Sequence, residues 1–531
     1  MSVLGKAEFA VLHTTPVDCE QFRLRKFVDL LAQAGELQTV EEKIDLVEIG
    51  ARLDGNAKAV LFRAVGAECA ELVGNVVGGR RRLALAFGVK EQDLLQEVQR
   101  RLKKPIVPVE VRSADAPVHQ VVWTEDNADF TRLPVHLQHG FDGGIYISAS
   151  IDISQSPDGK RRNVGYRRLM IRGRKEAGVD LLAPSDLRAA YGKMVEAKQR
   201  MPIAFVIGSH PADGVAAVSL APIDDEIALM GGLRGAPVPL VKCVTSDLLV
   251  PADAEIILEG YLDEKGWREP EGPFGEYLGY YGQMKTNPVF HLTAITRRRD
   301  ALFQTATISG RYLGQTDTAQ LCALRTEVAV WTALESAIRE PVAVYCPATT
   351  GGMFNLRLSM RPRYPGESRN AISAVHGSNA DVKNVFVVDD DIDVFSDADM
   401  EWAFATRFQP DRDLVTATGF RTIPLDPSLL GSRTGQKAGF DMTFPIGWKN
   451  SQEFRIPQPP VLESPDRTSV REALRCGPKF FRQLMEATGS RDGRDTTLAL
   501  DELRQEGVLG RNPDGAYTIQ DMTQSQQTKP T

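Results

Sequence analysis

Cysteine is scarce in this chain. There are six in 531 residues (Cys19, Cys69, Cys243, Cys322, Cys346 and Cys476), none in a CxxC pair and none at zinc-type spacing. That excludes a disulfide framework and a thiolate metal centre, and reads as reduced thiols in a cytoplasmic protein. No run of about 18 apolar residues occurs, so no bilayer-spanning helix is expected. The opening Met1-Ser-Val-Leu-Gly-Lys-Ala-Glu-Phe9 lacks a basic region followed by an apolar run, which predicts no secretory signal. Histidine is sparse too: of seven, only His136 and His139 are close enough for a metal clip. Their place after Pro134, beside Gly143-Gly144, favours structural or solvent-facing roles. A Walker P-loop, a GxSxG elbow, HExxH and a strand-borne GxGxxG are all missing, which leaves nucleophilic hydrolysis without visible apparatus. Basic excess is missing as well. With 63 Lys and Arg against 70 Asp and Glu, the formal charge of −7 argues against general nucleic-acid affinity. The basic runs Arg80–Arg82, Lys160–Arg162 and Arg297–Arg299 read as solvated segments, the second abutting Asn163.

The length predicts two or three domains in a mixed α/β (α+β) chain. Behind a weakly ordered lead-in over residues 1–20, Phe22–Leu37 has helical spacing closed by Gly35. Val40–Leu46, Ala59–Val65 and Arg81–Phe87 read as strands and Glu91–Arg101 as a helix, giving an α/β domain over 1–115. Tyr146–Ser154 then runs through the turn Pro157-Asp-Gly-Lys160 into Asn163–Arg172, as in a hairpin. Further strands are expected at Ile203–Gly208, Pro239–Val244, Ala254–Gly260 and Val289–Thr296, with one helix opening at Ser185. A β-barrel-like or split-barrel domain over 116–305 fits this texture. Helices Ala319–Arg339 and Asp399–Arg407, with the strand Val385–Val388, predict a second α/β domain over 306–450. Residues 451–531 read as linker and helical tail, with a Pro-rich link over 450–464 and a disordered last ten residues. The tail's helices (Ser469–Ala487, Leu498–Glu506) and closing Gly515-Ala-Tyr-Thr-Ile519 have the order of a winged-helix fragment. Its balanced charge argues for an oligomer-contact arm rather than a DNA reader.

Glu271-Gly-Pro-Phe-Gly-Glu276 sets two carboxylates five positions apart. Pro273 between Gly272 and Gly275 forbids a helix and fixes a strand–turn path. On so tight a segment one carboxylate can stay ionised beside a cation while the other keeps a proton to deliver. The plain alternative is an acidic surface turn. Upstream, Asn163-Val-Gly-Tyr-Arg-Arg168 offers a neutral oxygen ligand and a guanidinium. Asn163, Asp186, Glu226, Glu271 and Glu276 make a hard-oxygen set that suits Mg²⁺, Mn²⁺ or K⁺ rather than zinc. Such side chains cannot take up the electron pair of a carbanion, so a reaction that forms one needs an organic cofactor.

Six stretches together resemble the UbiD-type decarboxylases over residues 22–445: Asp142-Gly-Gly-Ile-Tyr146, Asn163–Arg168, Asp225-Glu226-Ile-Ala-Leu-Met-Gly-Gly232, Lys242–Ala252, Glu271–Glu276 with Tyr-Leu-Gly-Tyr280, and Asp389–Val394 with Trp402–Arg407. The resemblance implies prenylated FMN, a divalent ion (Mn²⁺ or Mg²⁺) and often K⁺ at the cofactor phosphate. It implies an N-terminal α/β domain, a central split-barrel flavin-binding domain, and a C-terminal α/β domain whose end helps form a homodimer or homohexamer. The implied reaction releases CO₂ reversibly from an aromatic, heteroaromatic or other α,β-unsaturated acid, with a flavin prenyltransferase supplying the cofactor. By position, the resemblance makes Asn163, Asp186 and Glu226 metal ligands, and Arg168, Glu271 and Glu276 the catalytic set. Glu276 is the proton donor, its pKa expected to be raised by burial and neighbouring negative charge. Ser148, Asn163, Val164, Gly165, Tyr166, Arg167, Arg168, Ser185, Asp186, Ser219, Leu220 and Glu226 are the implied cofactor contacts.

One position departs from the family pattern: Asp186 stands where many relatives carry histidine, and it alternatively caps a helix. Thr307–Leu321, with Arg311, Tyr312, Gln315 and Thr318, and Leu429–Thr434, with Leu430 and Arg433, are expected at the substrate pocket. Their polar anchors favour a hydroxylated, heteroaromatic or polycyclic acid over a plain cinnamate. Two rival readings are a flavin-dependent oxidoreductase and a non-catalytic subunit of a multi-subunit carboxylase.

Overall fold

The alternating stretch Tyr146–Gln155 and its partner Arg162–Ile171 form the frame that carries the candidate site. They are antiparallel ten-residue strands in a computed structural model that describes residues 17–448, 454, 456–462 and 468–520. The lead-in through residue 16, much of the 450–464 link and the last ten residues lie outside the described residues.

Around this pair the sheet runs in the order Ile256–Leu262, Met201–Ile207, Tyr146–Gln155, Arg162–Ile171, Glu176–Val179, Val289–Arg297. The last strand pairs back onto the first, so six antiparallel strands close into a barrel, and Val121–Thr124 adds to Val289–Arg297. Closure leaves the six-strand ring no open edge. Alternate residues, among them Leu169, Ile203, Phe205, Leu258 and Phe290, gather into one buried cluster, the period-two signature of a barrel interior. Each such side chain contributes roughly 1.5–3 kcal/mol by leaving water. The other face of the strands, through Ile151, Ile153 and Val164, joins a second cluster that includes Ala212, Val215 and Met230. Those three come from helices Pro211–Ala217 and Glu226–Arg234, which the sequence does not announce. Both helices are buried almost all round, so neither has the polar stripe that makes a helix legible.

The N-terminal sheet runs Leu37–Ile44, Ala59–Val65, Ala70–Gly74, and then Phe303–Thr305, a strand contributed from beyond the barrel. The expected strand Arg81–Phe87 is instead a helix, Arg80–Phe87, closed by Gly88 in the left-handed region at φ 69°. Leu-Ala-Leu-Ala mimics alternation, but Leu83, Ala84 and Phe87 are buried at helical spacing and Ala, Leu and Arg favour helix. The C-terminal sheet runs Pro341–Tyr345, Asn355–Met360, Asn384–Asp389, Thr434–Asp441, Leu414–Arg421, with helices Asp317–Ala337 and Glu367–Gly377 among the elements packed on it.

Residues 444–531 form a separate compact unit. Its described part holds helices Val470–Arg475, Phe481–Thr488 and Arg494–Gln505 and the hairpin Leu509–Arg511 with Tyr517–Ile519, around Leu474, Leu484, Leu500 and Leu503. The single helix expected over Ser469–Ala487 is two, because Gly477 at φ 127° and Pro478 interrupt it. A bridge from Lys479 to Tyr517 completes a winged-helix order. The third helix exposes Arg494 and Arg504 as well as Asp495, Leu498 and Glu502, a surface of mixed charge rather than a basic footprint for phosphates.

Candidate active site

Arg168 lies on Arg162–Ile171, where the strand points its guanidinium at the Glu271–Glu276 turn. Nε and Nη2 donate to the two oxygens of Glu271 at 3.0 and 3.2 Å, and Nη1 donates to both oxygens of Glu276 at 3.0 Å. Both carboxylates are buried, Glu271 at 0% exposure and Glu276 at 3%. Sequence spacing suggested this trio, and the fold brings it together. The fold adds three residues that the sequence did not single out. Asp180, just past Glu176–Val179, lies 3.0 Å from Arg168 Nη2. Lys285 Nζ donates to Glu276 at 3.2 Å and to Asp180 at 3.4 Å. Asn287 Nδ2 donates to Glu271 at 3.2 Å. For Lys285 and Asn287 the signal that would have found them is register: Glu269–Glu271 pairs with Lys285–Asn287, which sets Lys285 directly opposite Glu271.

Burial works against the Arg168 charge, but Glu276, Asp180 and Glu271 outweigh it and hold the guanidinium above its ordinary value. Burial likewise opposes the Asp180 carboxylate, and Arg168 and Lys285 reverse it, leaving Asp180 below the usual range. The Phe274 ring lies 4.4 Å from the Arg168 guanidinium carbon and 4.4 Å from the Tyr146 ring. Phe274, Tyr146, Ala149, Ala306 and Ile308 make an apolar cluster beside the ions. Burial, then the charge of Glu271, pushes the Tyr146 phenol up, so it stays protonated.

The turn is clamped by the loop Asp142-Gly-Gly. Asp142 Oδ1 accepts from Gly275 N at 2.9 Å, and Gly143 N donates to Pro273 O at 2.8 Å. A Cβ on Gly143 would sit 2.1 Å from Gly272 O, so only glycine permits this backbone approach. His136 and His139 do not form a metal clip. His136 is 2% exposed and bonds Gln138, burial pushing its pKa down to about 4, while His139 pairs with Asp142 at 3.2 Å.

The next residues along the strand turn to a polar cluster. Asn163 Nδ2 donates to Asp152 at 3.1 Å, leaving its amide oxygen as the ligand end, and Arg167 lies 3.0 Å from the same carboxylate. A Cβ on Gly165 would approach Asp152 Oδ1 to 2.6 Å, which accounts for the glycine. The Val164 N–H donates to Glu226. Burial raises Glu226 to about 7, and Asp152 and Asp186 add to the rise. Mutually repelling oxygen donors with a neutral amide beside them fit a hard divalent cation, whose charge would relieve that repulsion. Among the described residues no group of three or more His, Cys, Asp or Glu is arranged to hold a metal. Asn163, Asp186 and Glu226 offer an amide and two carboxylates instead. Ser154 Oγ is buried without a hydrogen bond, a further open valence on this side. Asp186 is exposed at the first turn of Asp186–Glu196, and Ser185, not Asp186, caps that helix by accepting from Arg188 N.

The other expected contacts stand in varied surroundings. Ser148 is 2% exposed, and its hydroxyl is committed to Ala306 O and N at 2.9 Å. Ser219 Oγ accepts from Ala221 N, and Leu220 is 40% exposed. Tyr166 is packed beside the helix at Gly214. Arg311 and Tyr312 are exposed and Gln315 keeps a buried, unbonded Oε1, whereas Thr318 Oγ1 donates to Thr307 O at 3.4 Å. Leu430 and Arg433 stand at the surface; from that loop Ile423 and Leu425 are the ones that pack with Tyr277 and Leu278, next to Glu276.

Family models for the 3-octaprenyl-4-hydroxybenzoate carboxy-lyase match the chain in three parts: the N-terminal domain over residues 28–102, the Rift-related domain over 109–312 and the C-terminal domain over 319–442. Solved structures agree. The UbiD-class enzyme HmfF from Pelotomaculum thermopropionicum, in complex with FMN, is 31% identical with a TM-score of 0.78, over 85% of this chain and 100% of that one. The 3,4-dihydroxybenzoic acid decarboxylase AroY of Klebsiella pneumoniae is 27% identical (TM-score 0.76; 83% and 98% covered). The vanillic acid decarboxylase of Sedimentibacter hydroxybenzoicus is 28% identical (TM-score 0.75; 83% and 96% covered). The chain belongs to the UbiD family of decarboxylases, and is a carboxy-lyase. No helix among the described residues is long and apolar enough to cross a membrane.

Proposed function

We propose that this chain reversibly and non-oxidatively decarboxylates an aromatic or heteroaromatic carboxylic acid with prenylated FMN as cofactor, and that Glu276 supplies the proton. The observation that carries this reading is Arg168 clasped between two buried carboxylates beside an apolar cluster. Prenylated FMN, when bound, supplies the sink for the electron pair that the departing carboxyl group leaves behind. The Arg168 charge draws the substrate carboxylate in. Glu271, held by Arg168 and Asn287, is the counter-charge, and Glu276 gives its proton to the product carbon. Phe274, Tyr146 and Ile308 exclude water from that step. Asn163, Glu226 and Asp186 would hold Mn²⁺ or Mg²⁺ beside the cofactor, with Arg167 and the backbone of Val164–Arg168 along it and K⁺ at its phosphate. The buried, unbonded Gln315 Oε1 and relatives named for 3,4-dihydroxybenzoic and vanillic acids support a hydroxylated aromatic substrate. In this reading the enzyme works in the cytoplasm as a homodimer or homohexamer, with its cofactor supplied by a flavin prenyltransferase.

The test is CO₂ release from a panel of aromatic acids by protein co-expressed with a flavin prenyltransferase. Glu276→Gln is expected to keep the cofactor and lose turnover. Full activity in that variant would remove Glu276 from the acid role.

A further inference from the structure

Around Glu276 the charges do not cancel. Arg168 and Lys285 supply two cations; Asp180, Glu271 and Glu276 supply three carboxylates, each within hydrogen-bond reach of one of those cations. Ionised throughout, the set carries one negative charge in excess. With Glu276 protonated and a substrate carboxylate in place, the sum is the same. It stays so after neutral CO₂ leaves and the Glu276 O–H bond breaks to form the product C–H bond. Taking up one proton at Glu276 with the substrate carboxylate, and giving it to the product carbon, thus leaves the charge of the network unchanged.

Each charge reaches Glu276 from a different element. Arg168 comes from the long strand Arg162–Ile171, Asp180 from the end of Glu176–Val179, Lys285 from Lys285–Asn287, and Glu271 from its own turn. Tyr277, the adjoining titratable group, has its phenol pushed up by burial. His139 stands behind Gly275 and is paired to Asp142. The most exposed arm of the network is the Lys285–Asp180 side: their side chains are 19% and 23% exposed, against 12% for Arg168, 4% for Glu276 and 0% for Glu271.

We propose that Lys285 and Asp180 are positioning residues for proton delivery. Lys285 fixes the Glu276 carboxyl and sets how firmly it holds its proton, and Asp180 divides the Lys285 and Arg168 charges between itself and Glu276. This rests on the reading of Glu276 as the acid. After each turnover Lys285 and Arg168 meet the Glu276 carboxylate, which regains its proton from water at this edge.

The two residues act with opposite sign, and that is what the test reads. In holoenzyme loaded with prenylated FMN, the alkaline limb of the kcat–pH profile reports loss of the Glu276 proton. Lys285→Met is expected to move that limb up by about one pH unit or more, the usual scale for an opposite charge at this range. Asp180→Asn is expected to move it down, and Lys285→Arg to return it to the wild-type position. An activity-independent readout is the infrared carbonyl band of a protonated carboxyl that vanishes in Glu276→Gln, titrated in protein without cofactor. Its midpoint is expected to shift in the same two directions. Limbs and midpoints that stay put, or that move the same way in both variants while circular dichroism shows intact folds, overturn the proposal. If wild-type holoenzyme turns over no aromatic acid, the functional reading fails, while the infrared titration still decides whether Lys285 and Asp180 control Glu276.

Discussion

Arg234 and Arg168 are both arginines taken out of water and clasped by carboxylates, and their surroundings make them different devices. Arg234 donates to Asp213 at 2.6 and 2.7 Å and to Asp253 at 2.6 Å, under the Phe22 ring, with all three ions at 4% exposure or less. That cluster is buried, and it ties the helix Glu226–Arg234 to the residues around it. The Arg168 cluster uses the same chemistry but has an apolar cluster on one side and the partly exposed Lys285–Asp180 arm on another. A sealed ion cluster fixes geometry; an ion cluster with an edge can change its protonation. Access, more than charge, separates the two clusters, and in the proposed reading it separates structure from catalysis.

That contrast breaks first at Glu276. Glu276→Gln keeps the shape and removes the proton, so turnover is expected to fall about 10²–10⁴-fold, the usual worth of a general acid, with the melting temperature little changed. Steady-state kinetics beside thermal unfolding checks both halves. Arg234→Met should do the reverse. It leaves two buried carboxylates unpaired and is expected to cost about 3–5 kcal/mol in denaturant unfolding, while kcat per folded molecule stays near wild type. A large kinetic defect without lost stability would erase the distinction.

His136 sharpens the comparison from a third side, as a buried titratable group beside the site that avoids charge altogether. Its pKa is about 4 in the fold and about 6.5 in an unfolded chain. Above pH 6.5 it contributes no pH dependence. Between 6.5 and 4 the unfolded state binds more protons, so stability falls as pH falls, by about 3 kcal/mol in full. Wild type should lose that increment between pH 7 and pH 4 in chemical denaturation, and His136→Gln should not. The smallest effect is expected at Phe274, whose ring covers the Arg168 guanidinium. Phe274→Leu should remove about 0.5–2 kcal/mol of stability and loosen the acid's placement, read as a kcat loss of up to tenfold with KM little moved.

What was legible in the sequence is what is local. Glu271–Glu276 declares itself because Gly, Pro and two carboxylates share one turn, and Asn163–Arg168 because the strand alternation around it is strong. The barrel strands were readable for the same reason. Asp180, Lys285 and Asn287 were not, since strand pairing brings them to the site: Glu271 faces Lys285 across a short ladder, and Asp180 follows Glu176–Val179, which pairs with Val289–Arg297. The helices Pro211–Ala217 and Glu226–Arg234 were missed because burial on all sides removes amphipathic periodicity, and Arg80–Phe87 was misread because alternating Leu and Ala imitates a strand. That Ile423 and Leu425 pack toward Leu278 while Leu430 and Arg433 stand exposed depends on how a long loop folds back, which no local pattern encodes.

The central claim is that these side chains position and protonate, and that the electron pair is carried by a modified flavin. Mass spectrometry of the flavin bound to active protein tests this most directly, with CO₂ release measured on the same sample. The account predicts the prenylated FMN mass in every preparation that releases CO₂, and no release from preparations that carry plain FMN. Full-rate CO₂ release from protein holding unmodified FMN, or no flavin at all, would contradict it.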